Sequence, residues 1–450
     1  MRHYRRSRLV LFLPVLVLVG AMFTGCGEEG KSEPDLISIS DFEGSWVVQQ
    51  YKATSVANPI ISVELVSGGG AFEMDIDEDG EFQGRMFIPA SLAGVNMEMP
   101  IAGTTKLISQ DSLVITFTPE IPNFLTKTRA AFTLSSNNNT VTLTDGNAHF
   151  DFGLGSGPEQ VIFEGVMVKN DGSYPPIVFT EDFEGPWVAQ MYKVTSTGNP
   201  PISIELIGLG GAFSYDVDDA GGLEGRGFVP ASLAGMTLEI PISANLNLIS
   251  QDSVGISFTP EIPPFLTDTR AEFALSANTL ALTDSNTTFD FDGDEEPDPA
   301  IFEGVMVRND GSYPPVVFTE DLEGFWETVS YTVTSAANPL ISFETISMGA
   351  TFDWDVDDQG QAIGNAFIPG AITGGDDVTL SDFPAGFELI YQDTLMIAFY
   401  PEVPPFLTNT RGHFTLVGDD FILTDENTYF DFGSGAEPAI AEIVMERTAP

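Results

Sequence analysis

The sequence predicts an all-β protein built from three tandem antiparallel domains, and three observations support this. A block beginning Gln110-Asp-Ser-Leu-Val-Ile-Thr-Phe-Thr-Pro119 recurs from Gln251 and again from Gln392. Gly-x-Trp opens a segment at Trp46, Trp187 and Trp326, positions 141 and 139 residues apart. A period this long marks whole domains, because solenoid units run about 20–50 residues. Lastly, short alternating apolar segments at roughly ten-residue spacing fill each repeat, without sustained 3.6-residue periodicity. Eight to ten such strands per repeat read as an antiparallel barrel or sandwich.

The shared block shows how each strand is specified. Leu113, Ile115 and Phe117 alternate with Val114, Thr116 and Thr118, and Val254, Ile256 and Phe258 or Leu395, Ile397 and Phe399 hold the same places. A period of two lays one face over a core. The other face varies freely, with Val114, Gly255 and Met396 at one position. Pro-Glu-Ile-Pro cannot continue a ladder, so the chain turns there. It re-enters a strand at Ala130, Phe132 and Leu134. Around this block, strands are expected at 46–54, 61–66, 69–77, 82–88, 97–108, 141–145, 150–152 and 161–168. Turns fall at Asn58-Pro59 and at Glu78-Asp79-Gly80. The third copy carries two extra residues near the counterpart of 97–108.

The domain plan follows: residues 1–25 as a signal peptide, 26–40 as a tether, and repeats over 41–169, 182–308 and 321–450. Linkers fill 170–181 and 309–320. Both linkers carry Asn-Asp-Gly-Ser-Tyr-Pro-Pro, whose paired prolines stiffen the joint. Two nearly identical joints predict one repeated inter-domain geometry.

Arg2, Arg5, Arg6 and Arg8 precede the apolar run 9–19, which has the layout of a secretory signal. Its ending, Phe23-Thr24-Gly25-Cys26, resembles the lipobox of bacterial lipoproteins, with Phe23 in place of the usual leucine. That resemblance implies cleavage before Cys26 and its acylation with palmitate-type chains. Several such chains, at about 0.8 kcal/mol per buried methylene, hold a protein stably on a membrane. Cys26 is the only cysteine, so it has no disulfide partner within the chain. An ordinary cleaved signal with an incidental cysteine is the alternative. Gly27-Glu28-Glu29 resembles the acidic tether that sends some Bacteroidetes-type lipoproteins to the cell surface. The expected address is therefore the bacterial outer membrane or cell surface, outside the cytoplasm.

All 66 acids lie beyond Cys26, as do 13 of the 17 Lys and Arg, which leaves the mature chain at −53. Such a surface repels phosphate backbones and argues against nucleic-acid partners. Its 43% hydrophobic content, with 35 Phe, is that of folded domains with acidic skins.

Gly-x-Trp at the first strand, about 130 residues and all-antiparallel strands resemble the lipocalin-like domains of bacterial lipoproteins. The resemblance implies a β-barrel whose Trp46, Trp187 or Trp326 plugs the closed end beneath a basic side chain. Two basic positions recur. Arg129, Arg270 and Arg411 come about three strands before the end of each repeat, and Lys169, Arg308 and Arg447 stand at the last strand. The family implies a cup for a small hydrophobic ligand.

Asp75-Ile-Asp77-Glu-Asp79-Gly80 has the spacing of a calcium loop, in which alternate carboxylates converge on a hard cation. Met86 stands where the bidentate acid belongs, and Ala220 and Gln359 replace Asp79 in the other copies. A hairpin turn with solvated acids fits the same residues. His149 and His413 each occur in one repeat only, so a histidine-based catalytic or zinc site repeated three times is excluded. Carboxylates shared by all repeats include Asp111, Glu120, Asp145, Asp151 and Glu164, a pair of which could in principle hydrolyse a glycoside. Turn and strand-end acids are far commoner. The expectation is a non-enzymatic, membrane-anchored binding protein for a small apolar molecule or a surface partner. The alternative is a structural or adhesive surface protein stabilised by calcium.

Overall fold

A computed structural model describes residues 36–120, 125–152, 157–198, 200–262, 265–291, 297–400, 402, 404, 406–432 and 435–448. The expected signal peptide, Cys26 and most of the expected tether lie outside these. Three closed antiparallel barrels of eight strands follow one another. In the first, β1 is Gly44–Ser55, β2 Ser62–Glu64, β3 Ala71–Ile76, β4 Glu81–Ile88 and β5 Met97–Ser109. It continues with β6 Ser112–Phe117, β7 Thr128–Leu134, β8 Thr140–Phe150 and β9 Glu159–Lys169. The same nine strands recur over residues 185–308 and 324–448.

Neighbours in sequence pair from β3 to β9, and β9 returns to β1, which closes the barrel. Closure removes the exposed ladder edges that an open sheet would present. One edge of β1 is shared: Gly44–Val47 pair with β3, and Lys52–Thr54 pair with the short β2. A bulge at Gln49, between Val48 and Gln50, bends β1 along β9. The expected strand at 150–152 is the end of β8 instead, and a single helical turn, Ala90–Ala93, joins β4 to β5.

Alternation decides what fills the barrels. Leu113, Ile115 and Phe117 point inward and are buried, while Ser112, Val114 and Thr116 are only partly covered. Gly84 shows how tightly the walls approach: a Cβ there would lie 2.0 Å from the Glu73 carbonyl oxygen, so only glycine fits.

At one end of each barrel a 3-10 turn closes the floor: Ile39–Phe42, Thr180–Phe183 and Thr319–Leu322. The Trp46 indole N–H donates to the Phe42 carbonyl at 2.6 Å; Trp187 does the same to Phe183 at 2.7 Å and Trp326 to Leu322 at 2.8 Å. Each Trp is essentially inaccessible to water, and burying so large a ring with its N–H satisfied makes the floor a major part of each core.

Candidate functional site

The basic group over each floor Trp comes from the last strand. Lys169 Nζ lies 5.3 Å from the Trp46 ring, and the guanidinium carbons of Arg308 and Arg447 lie 4.5 and 4.6 Å from Trp187 and Trp326. Arg308 also donates to the carbonyls of Asp182 at 2.6 Å and Ala277 at 2.9 Å, and to that of Glu184. Arg129, Arg270 and Arg411 are elsewhere: they stand exposed on the outer face of β7 and its counterparts, away from the Trp.

The opposite mouth is filled by the proline-cornered loop that follows β6. Leu125, Phe265, Leu266, Phe406 and Leu407 from this loop are buried. The Tyr331 hydroxyl inside the third barrel donates to the Phe406 carbonyl at 3.0 Å, and Tyr192 holds the Phe265 carbonyl in the second. Burial pushes both phenols above their ordinary pKa, so they remain donors. Asn409 Oδ1 accepts from the Phe399 N–H at 2.9 Å and Asp268 Oδ1 from the Phe258 N–H at 3.0 Å, which ties the loop back to the wall. With floor and mouth both occupied, the space inside the first barrel is a cavity of about 30 Å³ among Tyr51, Phe72, Ile101, Leu125 and Phe163. Ligand pockets run about 300–1,000 Å³. The interior of the first barrel is thus largely filled by the protein's own apolar side chains.

The acidic turn is a hairpin turn. Asp77 Oδ1 accepts from the N–H groups of Asp79 at 3.0 Å and Glu81 at 2.8 Å, and Asp75 accepts from the Ser45 hydroxyl. Asp75 and Asp77 are therefore engaged separately, and among the described residues no group of three His, Cys, Asp or Glu converges as a metal site. Gly80, at φ +82°, completes the turn.

The carboxylates shared by the repeats are also engaged. Asp145, Asp284 and Asp425 are buried at a bulge in β8 and its counterparts, where each accepts from the N–H two residues on at 2.8 Å. Asp284 also takes the Arg270 N–H at 3.2 Å. Burial raises the Asp425 pKa above the usual carboxylate value, against the pull of its backbone hydrogen bonds. A polar cleft of about 680 Å³ on the third barrel brings together Asp393, Arg411, His413, Asp425 and Asn427. His413 Nδ1 there is 3.4 Å from Asp393 Oδ2, with both side chains about 70% exposed.

A mainly apolar cleft lies at the first joint, with a volume of about 470 Å³. Val47, Val66 and Ala71 of the first barrel form one wall, and Phe273, Ala274 and Leu275 of the second form the other. Tyr174-Pro175-Pro176 of the linker closes the back. The linker is braced from within: Asn170 Oδ1 accepts from the N–H groups of Gly172 at 2.9 Å and Tyr174 at 3.3 Å, and its amide donates to the Tyr174 carbonyl at 3.3 Å. Asn309 repeats this set on Gly311 and Tyr313.

Both joints are pinned alike. Arg85 of β4 donates to Asp182 Oδ2 at 2.5 Å, to Glu181 at 3.2 Å and to the Ile177 carbonyl at 3.2 Å, while stacking 4.6 Å from the Phe179 ring. Arg226 makes the same contacts with Asp321, Glu320, the Val316 carbonyl and Phe318. Glu98 accepts from the Thr180 N–H at 2.6 Å and hydroxyl at 2.7 Å, as Glu239 does from Thr319 at 2.9 and 2.5 Å. Phe87 and Phe228, outward on their own barrels, are buried under the next one. Residues 177–181, assigned to the linker on sequence, are thus clamped between two barrels. Nothing in their spacing marked Arg85 and Arg226, since they lie in a strand that otherwise reads as a plain alternating segment.

No family model matches this chain, and no curated protein does. Eleven solved chains show similarity. Among them is the crystal structure of a protein of unknown function from the DUF3598 family of Nostoc punctiforme PCC 73102. It is 11% identical, the match covers 60% of this chain and 98% of that one, and the TM-score is 0.18. An overlap that low carries no argument about function.

Proposed function

We propose that this is a non-enzymatic, membrane-tethered extracytoplasmic protein that binds a small apolar molecule in the cleft between its first and second barrels. One observation carries the reading: the interior of the first barrel is packed to about 30 Å³, whereas the joint offers about 470 Å³ of mainly apolar space. Sites at domain interfaces are common ligand sites, and here Gln251 holds the linker at the edge of the cleft, accepting the Val178 N–H at 2.7 Å and donating to the Val178 carbonyl at 3.0 Å. Acylated Cys26 holds the chain on the outer membrane, and the acidic skin keeps the barrels apart from anionic surfaces.

A second reading is favoured by the joints. Three successive barrels clamped at equivalent positions by Arg85 and Arg226 suit a structural or adhesive surface protein, with calcium as a diffuse counter-ion. Native mass spectrometry of the protein from its source cell, with and without a chelator, separates the two. The binding reading expects one added mass of a few hundred daltons per chain, lost on Ala274→Trp, which fills the cleft. Added mass in up to three copies would return the site to the barrel interiors. Bare protein would leave the structural reading.

A further inference from the structure

The residues that make the two joints are missing from both outer ends of the series. The socket is Arg85 with Glu98 on the first barrel and Arg226 with Glu239 on the second. In the third, Asn365 stands at the arginine position and Thr379, opposite Phe367, at the glutamate position. A bulge adds to the change. Between Gly364 and Ala366 the partner strand carries Ser381 and Asp382, and Asp382 has φ +52°. Asn365 is turned to its own sheet: its amide donates to Asp353 Oδ1 at 2.7 Å, and its oxygen accepts from the Asp382 N–H at 3.2 Å. One of the third copy's two extra residues thus falls on the docking face itself.

The plug is altered at the other end. Phe179-Thr180-Glu181-Asp182 and Phe318-Thr319-Glu320-Asp321 enter the two sockets, but the first barrel has Ser38-Ile39-Ser40-Asp41. Only the aspartate is kept. Its duty within its own turn, accepting the N–H three residues back, is the same in all three: 2.8 Å from Ser38, 2.7 Å from Phe179 and 2.8 Å from Phe318. Ser38 offers no ring for an arginine to stack on, Ile39 no hydroxyl for a glutamate, and Ser40 no carboxylate.

We propose that the first plug and the last socket are edited so that the three-barrel chain does not dock onto further copies of itself. A head-to-tail contact that does not close on itself propagates into open fibres. Three barrels with intact plugs and sockets at both ends would carry that hazard. The partner these two faces reject is therefore a second copy of this chain, and the edits are local, since the barrels behind them keep the same strands.

Sedimentation velocity of the unacylated mature chain across a wide concentration range is the test. The wild-type chain is expected to remain a monomer. A variant with Ser38→Phe, Ile39→Thr and Ser40→Glu, together with Asn365→Arg, Thr379→Glu and removal of Asp382, is expected to associate with rising concentration. Wild-type self-association abolished by Phe367→Asp would overturn the proposal, as would a folded restored variant that sediments as a monomer. If the restored chain does not fold, the reciprocal change decides. Arg226→Asn with Glu239→Thr gives the second barrel residues that the third already tolerates. Cleavage of the 309–318 linker by a protease should then rise about tenfold, with the 170–179 linker unchanged. Equal protection of both linkers would overturn the proposal.

Discussion

Arg85 on the wall of the first barrel reaches Asp182 in the floor turn of the second at 2.5 Å, and one guanidinium thereby joins two cores. That hydrogen bond holds the Arg85 pKa above its ordinary value despite partial burial. The Asp182 carboxylate serves both barrels, since it also accepts the Phe179 N–H that shapes its own turn. The joint is therefore coupled to the floor of the following barrel.

Arg85→Ala should loosen the first joint more than it destabilises either barrel. With both side chains about a third exposed, we expect a cost on the order of 1–2 kcal/mol to docking. Arg85→Lys should recover little, because an ammonium cannot reach Asp182, Glu181 and a carbonyl in a fork. Hydrogen exchange across residues 170–183 checks this: protection should fall there and hold in β6 and β7.

The floor tryptophans are expected to be the costliest single truncations. Trp187→Ala removes a fully buried ring and its hydrogen bond to the Phe183 carbonyl, a loss of about 3–5 kcal/mol. Chemical denaturation should then show the second barrel unfolding ahead of the other two. Coincident transitions would mean that the two joints couple the barrels into one cooperative unit.

The mouth loop makes a separate prediction. Phe406 is buried and its carbonyl is held by Tyr331, so Phe406→Ala should open a cavity in the third barrel and cost about 3–5 kcal/mol. The opened barrel should take up an apolar fluorescent dye that the wild-type protein excludes. Failure to bind the dye in a folded variant would mean that the core recloses around the gap.

One pH effect is built into the turn after β2. Glu64 Oε1 accepts from the N–H groups of Tyr51 at 2.9 Å and Val66 at 3.3 Å, and its second oxygen takes that of Ser67. Burial alone would raise its pKa, but these hydrogen bonds together hold it below its ordinary value of 4.5. A depressed carboxylate stabilises the fold above its unfolded pKa and loses that contribution as pH falls through the folded value. The protection factors of the Tyr51 and Ser67 amides, referred to the intrinsic exchange rate at each pH, should therefore fall below about pH 4.5, and Glu64→Gln should show lower protection already at neutral pH.

Much of the fold was legible because alternation leaves little freedom. The Leu113, Ile115 and Phe117 face could only be a core face, and the prolines after Phe117 could only end a strand. A basic side chain over each floor Trp followed from the lipocalin-like resemblance, but the choice of Lys169 and Arg308 over Arg129 and Arg270 needed the structure. The packed interior was not legible, because Phe265 and Leu266 sit in a loop whose sequence does not reveal that it folds inward. The turn at Glu78-Asp79-Gly80 was legible, but carboxylate spacing at Asp75 and Asp77 suits a cation and backbone N–H groups equally, so their hydrogen-bond partners were not. Arg85 was invisible for a different reason. Its partners lie 92 to 97 residues away, and pairing across domains leaves no local pattern.

The docked joint is tested most directly by distances between barrels. Residues 27–450 contain no cysteine, so spin labels can be placed at the equivalent exposed positions Ala131→Cys, Glu272→Cys and His413→Cys, two at a time. Docked joints predict a narrow distance distribution for each neighbouring pair, with the two pairs closely alike because both joints use the same contacts. Arg85→Ala should broaden only the first. Broad distributions in the unaltered chain would contradict docking, since barrels held only by their linkers would not fix those distances.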